Sequence, residues 1–260
     1  MQTLIKNGRV IDPANQLDGS FDILINNGKI EAIEPQGKIS GSKLKDVPVI
    51  DAKNCVVAPG FCDMHVHFRE PGHEYKETIE TGSASAAAGG FSTVAVMPNT
   101  SPVNDNRSIT ELIFSQARKT NLINVFPIGA ITKGLKGESL SDMGELKEAG
   151  CIGYSDDGRP VMDSELMRRA FEYSRMFDLP CLQHSEILDL THEGCMNEGI
   201  VSTELGLKGM PVEAEDIMVF RDICLLRKTG GRLHVAHISS GGAVDLVRQA
   251  KAKGLPVTCE

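Results

Sequence analysis

Two histidines separated by one residue, with an arginine close behind, stand out in the stretch CDMHVHFREPG at residues 62–72. Successive side chains of a β-strand point to opposite faces, so His65, His67 and Arg69 are expected to share one face. Imidazole nitrogen is a preferred ligand of divalent zinc, and two imidazoles on one face can bind the same ion. A solvent-facing pair of polar residues is the alternative, but the apolar residues around these histidines argue against it. The stretch therefore favours a metal site.

Arg69 indicates the charge of the substrate. A guanidinium beside a metal ion is repelled unless an anion lies between the two, and arginine binds carboxylates through a pair of hydrogen bonds. Arg69 therefore predicts an anionic substrate next to the metal site. An ion pair with Glu70 or Glu74 is an alternative that the sequence leaves open.

Other polar residues follow later apolar runs of the chain. His184 ends LPCLQH, His237 follows RLHVA, and Asp157 lies in YSDDG. Taken singly, each has an ordinary interpretation as a hydrogen-bonded core histidine or a turn residue. Asn99, after AVMP, offers a donor and an acceptor, although Pro-Asn-Thr is also an ordinary turn. The shared position after strands makes His184, His237 and Asp157 further candidates for the metal site that His65 and His67 predict.

The remaining histidines and the cysteines are predicted to lie outside this site. His73 and His192 occur in polar loop sequence, and His234 is out of phase with His237, as expected of a hydrogen-bonded core histidine. None of the seven cysteines has ligand spacing. Their odd number and scattered positions favour reduced thiols, as in a cytoplasm.

A series of strands and helices must position these side chains. After Pro59-Gly60, nearly continuous apolar runs alternate with amphipathic segments, which predicts an α/β domain with a parallel sheet. One helix is predicted to begin with the capping box Ser108-x-x-Glu111, and another at an Asp163 N-cap. A third is predicted to end at Gly254.

The distribution of polar residues favours a closed barrel over an open sheet. No G-x-G-x-x-G follows a strand, and the candidate ligands come from several different strands, as in a TIM-type (β/α)8 barrel. Residues 57–260 are predicted to form barrel strands one to seven, with strand eight missing from the sequence. Residues 1–56 alternate apolar and polar residues around the turn Asn27-Gly28, which predicts the N-terminal part of a small β-sandwich domain.

Composition excludes several kinds of partner. The formal net charge is −8 and no run is rich in lysine or arginine, so nucleic acid and anionic membrane surfaces are not expected to bind. Residues 1–10 lack the apolar core of a signal peptide, and no apolar stretch approaches the length of a membrane span. The expected partner is a small molecule.

Five motifs together resemble the amidohydrolase superfamily, and more specifically the bacterial class I dihydroorotases. They are DMHVHFREPG, VMPNT, SDDG, QHSE and HVAHIS, which begin at residues 63, 96, 155, 183 and 234. His-x-His alone marks the superfamily, whereas FREPG together with MPNT and SDDG is much more specific. The likeness extends along the whole chain.

The resemblance implies an activity and a cofactor. The activity is the reversible, zinc-dependent closure of N-carbamoyl-L-aspartate to (S)-dihydroorotate plus water, the third step of pyrimidine synthesis. One or two zinc ions per subunit are implied, the first held by His65, His67 and Asp157. His184 and His237 would hold the second, with Asp157 bridging the two ions.

The resemblance also implies substrate contacts and an assembly. His67, Arg69 and Asn99 would contact the substrate, with Arg69 and Asn99 at its carboxylate. The implied assembly is a homodimer or a complex with aspartate transcarbamoylase, located in the cytoplasm.

Two alternative functions stay open. Hydantoinases and allantoinases bridge their metals with a carboxylated lysine at the end of strand four, and CIGYSDDG contains no lysine; the nearest, Lys147, belongs to the preceding helix. This absence favours dihydroorotase over those cyclic amidases. A non-catalytic, dihydroorotase-like scaffold for aspartate transcarbamoylase is the second alternative, although such relatives typically lose metal ligands that are all present here.

The family's catalytic aspartate lies on barrel strand eight, which is expected beyond Glu260. No catalytic residue is therefore assigned within residues 1–260. This fragment alone is expected to be inactive or poorly folded, because an open barrel edge would expose the hydrogen-bonding groups of a strand.

Overall fold

The fold is known from a computed structural model that describes residues 1–40 and 46–260. Its residues fall into two units, Met1–Phe61 and Cys62–Glu260. The segment 41–45 belongs to the predicted N-terminal β domain and lies outside the described residues.

Antiparallel and parallel pairing combine in the N-terminal unit. Its strands are β1 (Gln2–Asp12), β2 (Leu17–Asn26), β3 (Lys29–Pro35), β4 (Val49–Asp51) and β5 (Val56–Val57). The sheet order is β3-β2-β1-β4, with β5 also paired to β1. A turn at Asn27 and Gly28 joins β2 to β3, and both residues have positive φ (50° and 75°), which confirms the predicted hairpin.

Short strands alternate with helices throughout the second unit. Its strands are β6 (Phe61–Val66), β7 (Phe91–Val96), β8 (Asn124–Pro127), β9 (Tyr154–Ser155), β10 (Cys181–His184), β11 (Met196–Asn197), β12 (Gly209–Met210), β13 (Leu233–Ala236) and β14 (Val257–Cys259). Its helices are α1 (Ile79–Ala88), α2 (Arg107–Thr120), α3 (Met143–Ala149), α4 (Ser164–Arg175), α5 (Leu188–Thr191), α6 (Ile200–Leu205), α7 (Glu213–Thr229) and α8 (Gly241–Ala252). This alternation confirms the predicted α/β class.

Seven of these strands follow one another in chain order across the sheets. One sheet has the order β6-β7-β8 and the other the order β9-β10-β13-β14. A single parallel bridge between Gly129 and Tyr154 links β9 to the chain that follows β8. The short pair of β11 and β12 lies in the long connection between β10 and β13.

Two apolar clusters fix the strands of the second unit. The larger one packs α3, α4, α7 and α8 against the strands from β9 onward, with fully buried Phe171, Leu226 and Val235 among its members. The smaller one packs α1 and α2 against β6, β7 and β8, and includes Phe68 and Ile113. Burying each such side chain contributes about 1.5–3 kcal/mol, so the clusters hold the strand ends in place.

Helix termini follow the sequence signals at two of three predicted places. Asp163 caps α4 by accepting a hydrogen bond from the Leu166 N–H at 2.8 Å, and Gly254, with φ of 76°, follows the end of α8. The predicted capping box at Ser108 is wrong. Asn106 caps α2 instead, because its side chain accepts from the Ile109 N–H at 3.3 Å.

No helix within the described ranges 1–40 and 46–260 has the length and apolar character that crossing a membrane requires.

Candidate metal centre

The five residues predicted as metal ligands all lie where a strand of the second unit ends. His65 is in β6 and His67 follows that strand directly. His184 is the last residue of β10, and His237 comes directly after β13. Asp157 is two residues beyond β9. The fold therefore brings to one place side chains that are far apart in the sequence.

Asp157 occupies the middle of this group. Its Oδ1 lies 3.3 Å from His65 Nε2, 3.4 Å from His237 Nε2 and 3.6 Å from His184 Nδ1. Its Oδ2 lies 3.3 Å from His67 Nε2. The Asp157 side chain is only 6% exposed, so one buried carboxylate faces four imidazoles.

The histidines change the ionisation of Asp157. Burial raises the pKa of this carboxyl, but hydrogen bonds from His184, His237 and His65 outweigh burial and hold the pKa well below its usual range. The hydrogen bond to Asp157 in turn raises the pKa of His65. Asp157 is therefore a carboxylate throughout the physiological pH range.

Neighbouring residues engage the ring nitrogens that point away from Asp157. His65 Nδ1 lies 3.0 Å from Glu260 Oε1, and His67 Nδ1 lies 2.9 Å from Asn99 Oδ1. His184 Nε2 lies 2.9 Å from Glu186 Oε2. Because these oxygens can accept a hydrogen bond from the outer nitrogen, each inner nitrogen can give up its own proton and offer its lone pair when a metal ion binds beside Asp157.

This donor set fits a divalent metal ion. The ligand atoms of His65, Asp157 and His237 all lie within 4.8 Å of one another. Imidazole nitrogens with lone pairs directed inward, together with one carboxylate, are the donors that zinc and similar transition metals prefer. His184 lies beside this group, with its Nδ1 3.0 Å from His237 Nε2.

Arg69 lies at the edge of this group without a protein counter-ion. It has a positive φ of 56° and is half-buried, and it forms no ion pair with any residue in the described ranges. Glu70 and Glu74, the alternative partners, bind backbone N–H groups instead, those of Ile79 and Gly72 at 2.8 Å each. Burial lowers the pKa of His67, and the positive charge of Arg69 adds to that effect.

Both the oxygen and the nitrogen of the Asn99 side-chain amide form hydrogen bonds within the centre. Its oxygen accepts from His67, and its nitrogen donates to the Asp157 backbone oxygen at 3.4 Å and to Asp157 Oδ2 at 3.3 Å. The amide therefore orients two of the candidate ligands, in addition to the substrate contact predicted for it.

Cavities border the centre on two sides. One of about 280 Å³ is lined by His184, His237 and Glu186 among others. Another of about 270 Å³ is lined by Asn99, Asp157 and Arg159, among others. A small molecule could reach the candidate ligands from either side.

The other histidines lie away from this group. His234 is buried and its Nδ1 lies 2.8 Å from Thr258 Oγ1, as expected of a core histidine. His192 is exposed, whereas His73 is half-buried and packs edge-on to Tyr75.

Sequence reasoning missed three residues at the centre. Glu186 follows His184 by two residues, Glu260 ends the segment VTCE after the last strand, and Arg159 follows Asp157 by two residues. Glu260 carried the same signal as the ligands, a polar residue directly after an apolar strand. Arg159 and Glu186 gave no signal beyond closeness to a candidate ligand.

Comparison with known proteins relates the chain to one family. A family model described as dihydro-orotase-like matches residues 54–242. The chain is 56% identical to a dihydroorotase of Geobacter sp. (strain M21) and 52% identical to one of Pelobacter propionicus. Both matches cover 100% of this chain and 60% of the relative, so the chain spans about 60% of the length of these curated relatives.

Solved structures show the same fold at lower identity. An L-hydantoinase from Arthrobacter aurescens has a TM-score of 0.79 at 23% identity, covering 99% of this chain and 57% of the other. A dihydropyrimidinase from Brevibacillus agri NCHU1002 has a TM-score of 0.78 at 23% identity, covering 100% and 57%. The α/β fold is thus one found in this group of cyclic amidohydrolases. Because the family model matches well over half of its residues, the chain belongs to the dihydroorotase-like family.

Proposed function

We propose that the chain carries the metal centre and part of the substrate site of a dihydroorotase. In the ring-closing direction, the terminal ureido nitrogen of N-carbamoyl-L-aspartate attacks the side-chain carboxyl carbon, and water is lost. Ring opening of (S)-dihydroorotate is the reverse reaction. The ring keeps one carboxylate that does not react, so the site must bind an anion in both directions.

One observation carries this proposal: among the described residues, Arg69 has no counter-ion, although it lies beside a centre of four histidines and the buried Asp157. A half-buried guanidinium without a partner is unfavourable unless a ligand supplies the negative charge. The non-reacting carboxylate of dihydroorotate supplies it. Hydantoins and dihydrouracil, the neutral cyclic amides of comparable size, do not.

The donor set supports zinc, with one or two ions per subunit. His65, His67 and Asp157 would hold one ion, and His184, His237 and the shared Asp157 would hold a second. When bound, zinc would lower the pKa of a water molecule and polarise the ring carbonyl.

The chain's own residues would orient the substrate and the ligands. Arg69 would bind the non-reacting carboxylate through two hydrogen bonds, and His67 and Asn99 would border the bound ring. Asn99 would also keep the His67 ring in place through its Nδ1. No described residue is assigned to proton transfer.

We also propose that the second unit belongs to a (β/α)8 barrel and that residues 1–56 belong to a small β-sandwich domain. The chain order of the seven strands supports the barrel, as does the contact between His65 on β6 and Glu260 beyond β14. Seven free thiols support a cytoplasmic location. A homodimer or a complex with aspartate transcarbamoylase remains part of the same proposal, on the family resemblance alone.

The test compares two ligands that differ in one group. Dihydroorotate and 5,6-dihydrouracil share the ring, but only dihydroorotate carries the carboxylate. Titration calorimetry of the zinc-loaded chain is expected to show dihydroorotate binding at least about tenfold more tightly, as one charge-assisted pair would provide. Equal affinity, or preference for dihydrouracil, would favour a hydantoinase-like function instead.

Zinc content distinguishes the proposed enzyme from the non-catalytic scaffold. The chain purified without chelators is expected to contain zinc, measured by elemental analysis. A zinc-free chain that also fails to take up added zinc would favour a non-catalytic scaffold.

A further inference from the structure

We infer that Glu260 is a positioning residue of the metal centre: its carboxylate accepts the Nδ1–H of His65 and thereby turns His65 Nε2 toward Asp157. This inference rests on the proposed metal site and deepens it. Neither the family resemblance nor the comparisons assign a role to Glu260.

The backbone of Glu260 is fixed against the neighbouring strand. Its N–H donates to the Val235 carbonyl at 3.2 Å, and its carbonyl accepts from the Ile238 N–H at 2.8 Å. These two bonds extend the parallel pairing one residue beyond β14 and two residues beyond β13. The side chain therefore starts from a defined position on the side of the centre where His237 lies.

The Glu260 side chain contacts two candidate ligands at once. Its Oε1 lies 3.0 Å from His65 Nδ1 and 2.9 Å from the backbone nitrogen of His237. His65 is on β6, the first strand of the order, and His237 follows β13, the last but one, so one oxygen contacts residues from two different sheets. The side chain is 27% exposed, which leaves these contacts only partly screened by water.

The contact with Glu260 affects which nitrogen of the His65 ring carries the proton. A neutral imidazole has one N–H and one lone pair, and a carboxylate can only accept a hydrogen bond. A metal ion beside Asp157 would require the lone pair of His65 Nε2, and the N–H would then lie on Nδ1, where Glu260 Oε1 is 3.0 Å away to accept it. Such carboxylate–histidine pairs typically raise metal affinity 10–100-fold.

The geometry argues against Glu260 as a metal ligand itself. Its contact is with the outer nitrogen of His65, whereas Asp157 faces the inner one. Glu260 is also not among the described residues whose ligand atoms lie within 4.8 Å of one another, which are His65, Asp157 and His237. Glu260 thus acts through His65 and His237.

The experiment measures metal binding rather than turnover. Zinc affinity of the wild-type chain, Glu260→Ala and Glu260→Gln is determined by competition with a chromophoric chelator, with Glu204→Ala, an exposed carboxylate on α6, as the matched control. Glu260→Ala is expected to bind zinc about 10–100-fold more weakly. Glu260→Gln keeps an acceptor oxygen but not the charge, and is expected to lose less. Glu204→Ala is expected to match wild type.

Substitution of zinc by cobalt tests whether Glu260 only positions His65 or is itself a metal ligand. If Glu260 only orients His65, the visible Co²⁺ spectrum of Glu260→Ala at saturating metal keeps the wild-type band pattern, because the ligand set is unchanged. Loss of an oxygen ligand would shift and weaken the bands, and that result would overturn the positioning role. Unchanged zinc affinity in both Glu260 variants would overturn it as well.

Failure of this inference and failure of the proposed function give different results. Zinc binding that weakens in Glu260→Ala, without preference for dihydroorotate over dihydrouracil in wild type, supports the role of Glu260 and contradicts the function. A clear preference for dihydroorotate, with unaltered zinc affinity in Glu260→Ala, supports the function and contradicts the role of Glu260. Far-ultraviolet circular dichroism of the metal-free variants identifies a loss of folding, and Glu260→Gln then decides the question.

Discussion

Oδ2 of Asp157 lies 3.3 Å from Nε2 of His67, while the other oxygen of the same carboxylate faces the remaining three histidines. The buried Asp157 carboxylate is therefore in contact with imidazoles that come from three other strands. If the proposed metal site is correct, Asp157 is the side chain on which metal binding should depend most.

Replacing Asp157 with asparagine is expected to lower zinc affinity at least about 100-fold, because Asp157 is the one carboxylate among the described residues that contacts all four histidines. Chelator competition measures the loss. Asp163→Asn is the matched control, since asparagine caps a helix as well as aspartate does and Asp163 caps α4. Equal zinc affinities for the two variants would contradict the central role of Asp157.

Replacing Arg69 with methionine is expected to weaken dihydroorotate binding about 10–100-fold and to leave dihydrouracil binding unchanged, because methionine keeps the bulk but not the charge-assisted hydrogen bonds. Titration calorimetry of zinc-loaded protein with both ligands measures the difference. Arg69→Lys should recover part of the loss, since lysine keeps the charge without the two-pronged geometry. Parallel losses for both ligands would show that Arg69 shapes the site without binding the carboxylate.

Much of this centre follows from the sequence, because a strand's alternation fixes which side chains share a face. His65, His67, His184 and His237 were all identified from their positions at the ends of apolar runs. The same local logic identified the Asp163 cap and the Asn27-Gly28 turn.

Contacts to the outer ring nitrogens did not follow from the sequence. The pairing of Glu260 with His65 depends on how β6 and β14 approach each other, which no local pattern specifies. The α2 cap was misplaced for a related reason. Ser108 and Asn106 are both good capping residues, and their types alone do not show that the helix begins after Asn106.

The pH dependence of stability is expected to include a contribution from Asp222, a buried residue of α7. Burial raises the pKa of Asp222 to about 6, although Arg221 at 2.8 Å opposes the shift. Between the usual aspartate pKa and pH 6, the folded state holds a proton that the unfolded state has lost. Stability therefore falls as pH rises through this window, by about 3 kcal/mol for this group.

Asparagine at position 222 cannot ionise, so Asp222→Asn should flatten this part of the profile. Urea unfolding of the metal-free chain at several pH values between 4 and 7 measures the slope. Asp156 is also buried, with its pKa raised to about 6. It lowers stability as pH rises in wild type and in Asp222→Asn alike. The difference between wild type and variant isolates Asp222, and identical slopes would contradict the prediction.

Packing behind the metal centre makes Gly82 intolerant of even one added methyl group. A Cβ at Gly82 would lie 2.5 Å from the ring of Phe68, which is 3% exposed and sits between His67 and Arg69 in the sequence. Alanine favours a helix by about 1 kcal/mol over glycine, yet this overlap is expected to make Gly82→Ala destabilising by about 1–3 kcal/mol. Because Phe68 must move, zinc and dihydroorotate should both bind more weakly.

Gly241→Ala provides the control, since Gly241 begins α8 and an added Cβ there has nothing within 4 Å. It should be neutral or slightly stabilising. Denaturant unfolding and chelator competition on both variants measure the two effects. Gly82→Ala with wild-type stability would mean that the space behind Phe68 adapts without strain, and unchanged zinc affinity despite lower stability would mean that Phe68 does not hold His67 in place.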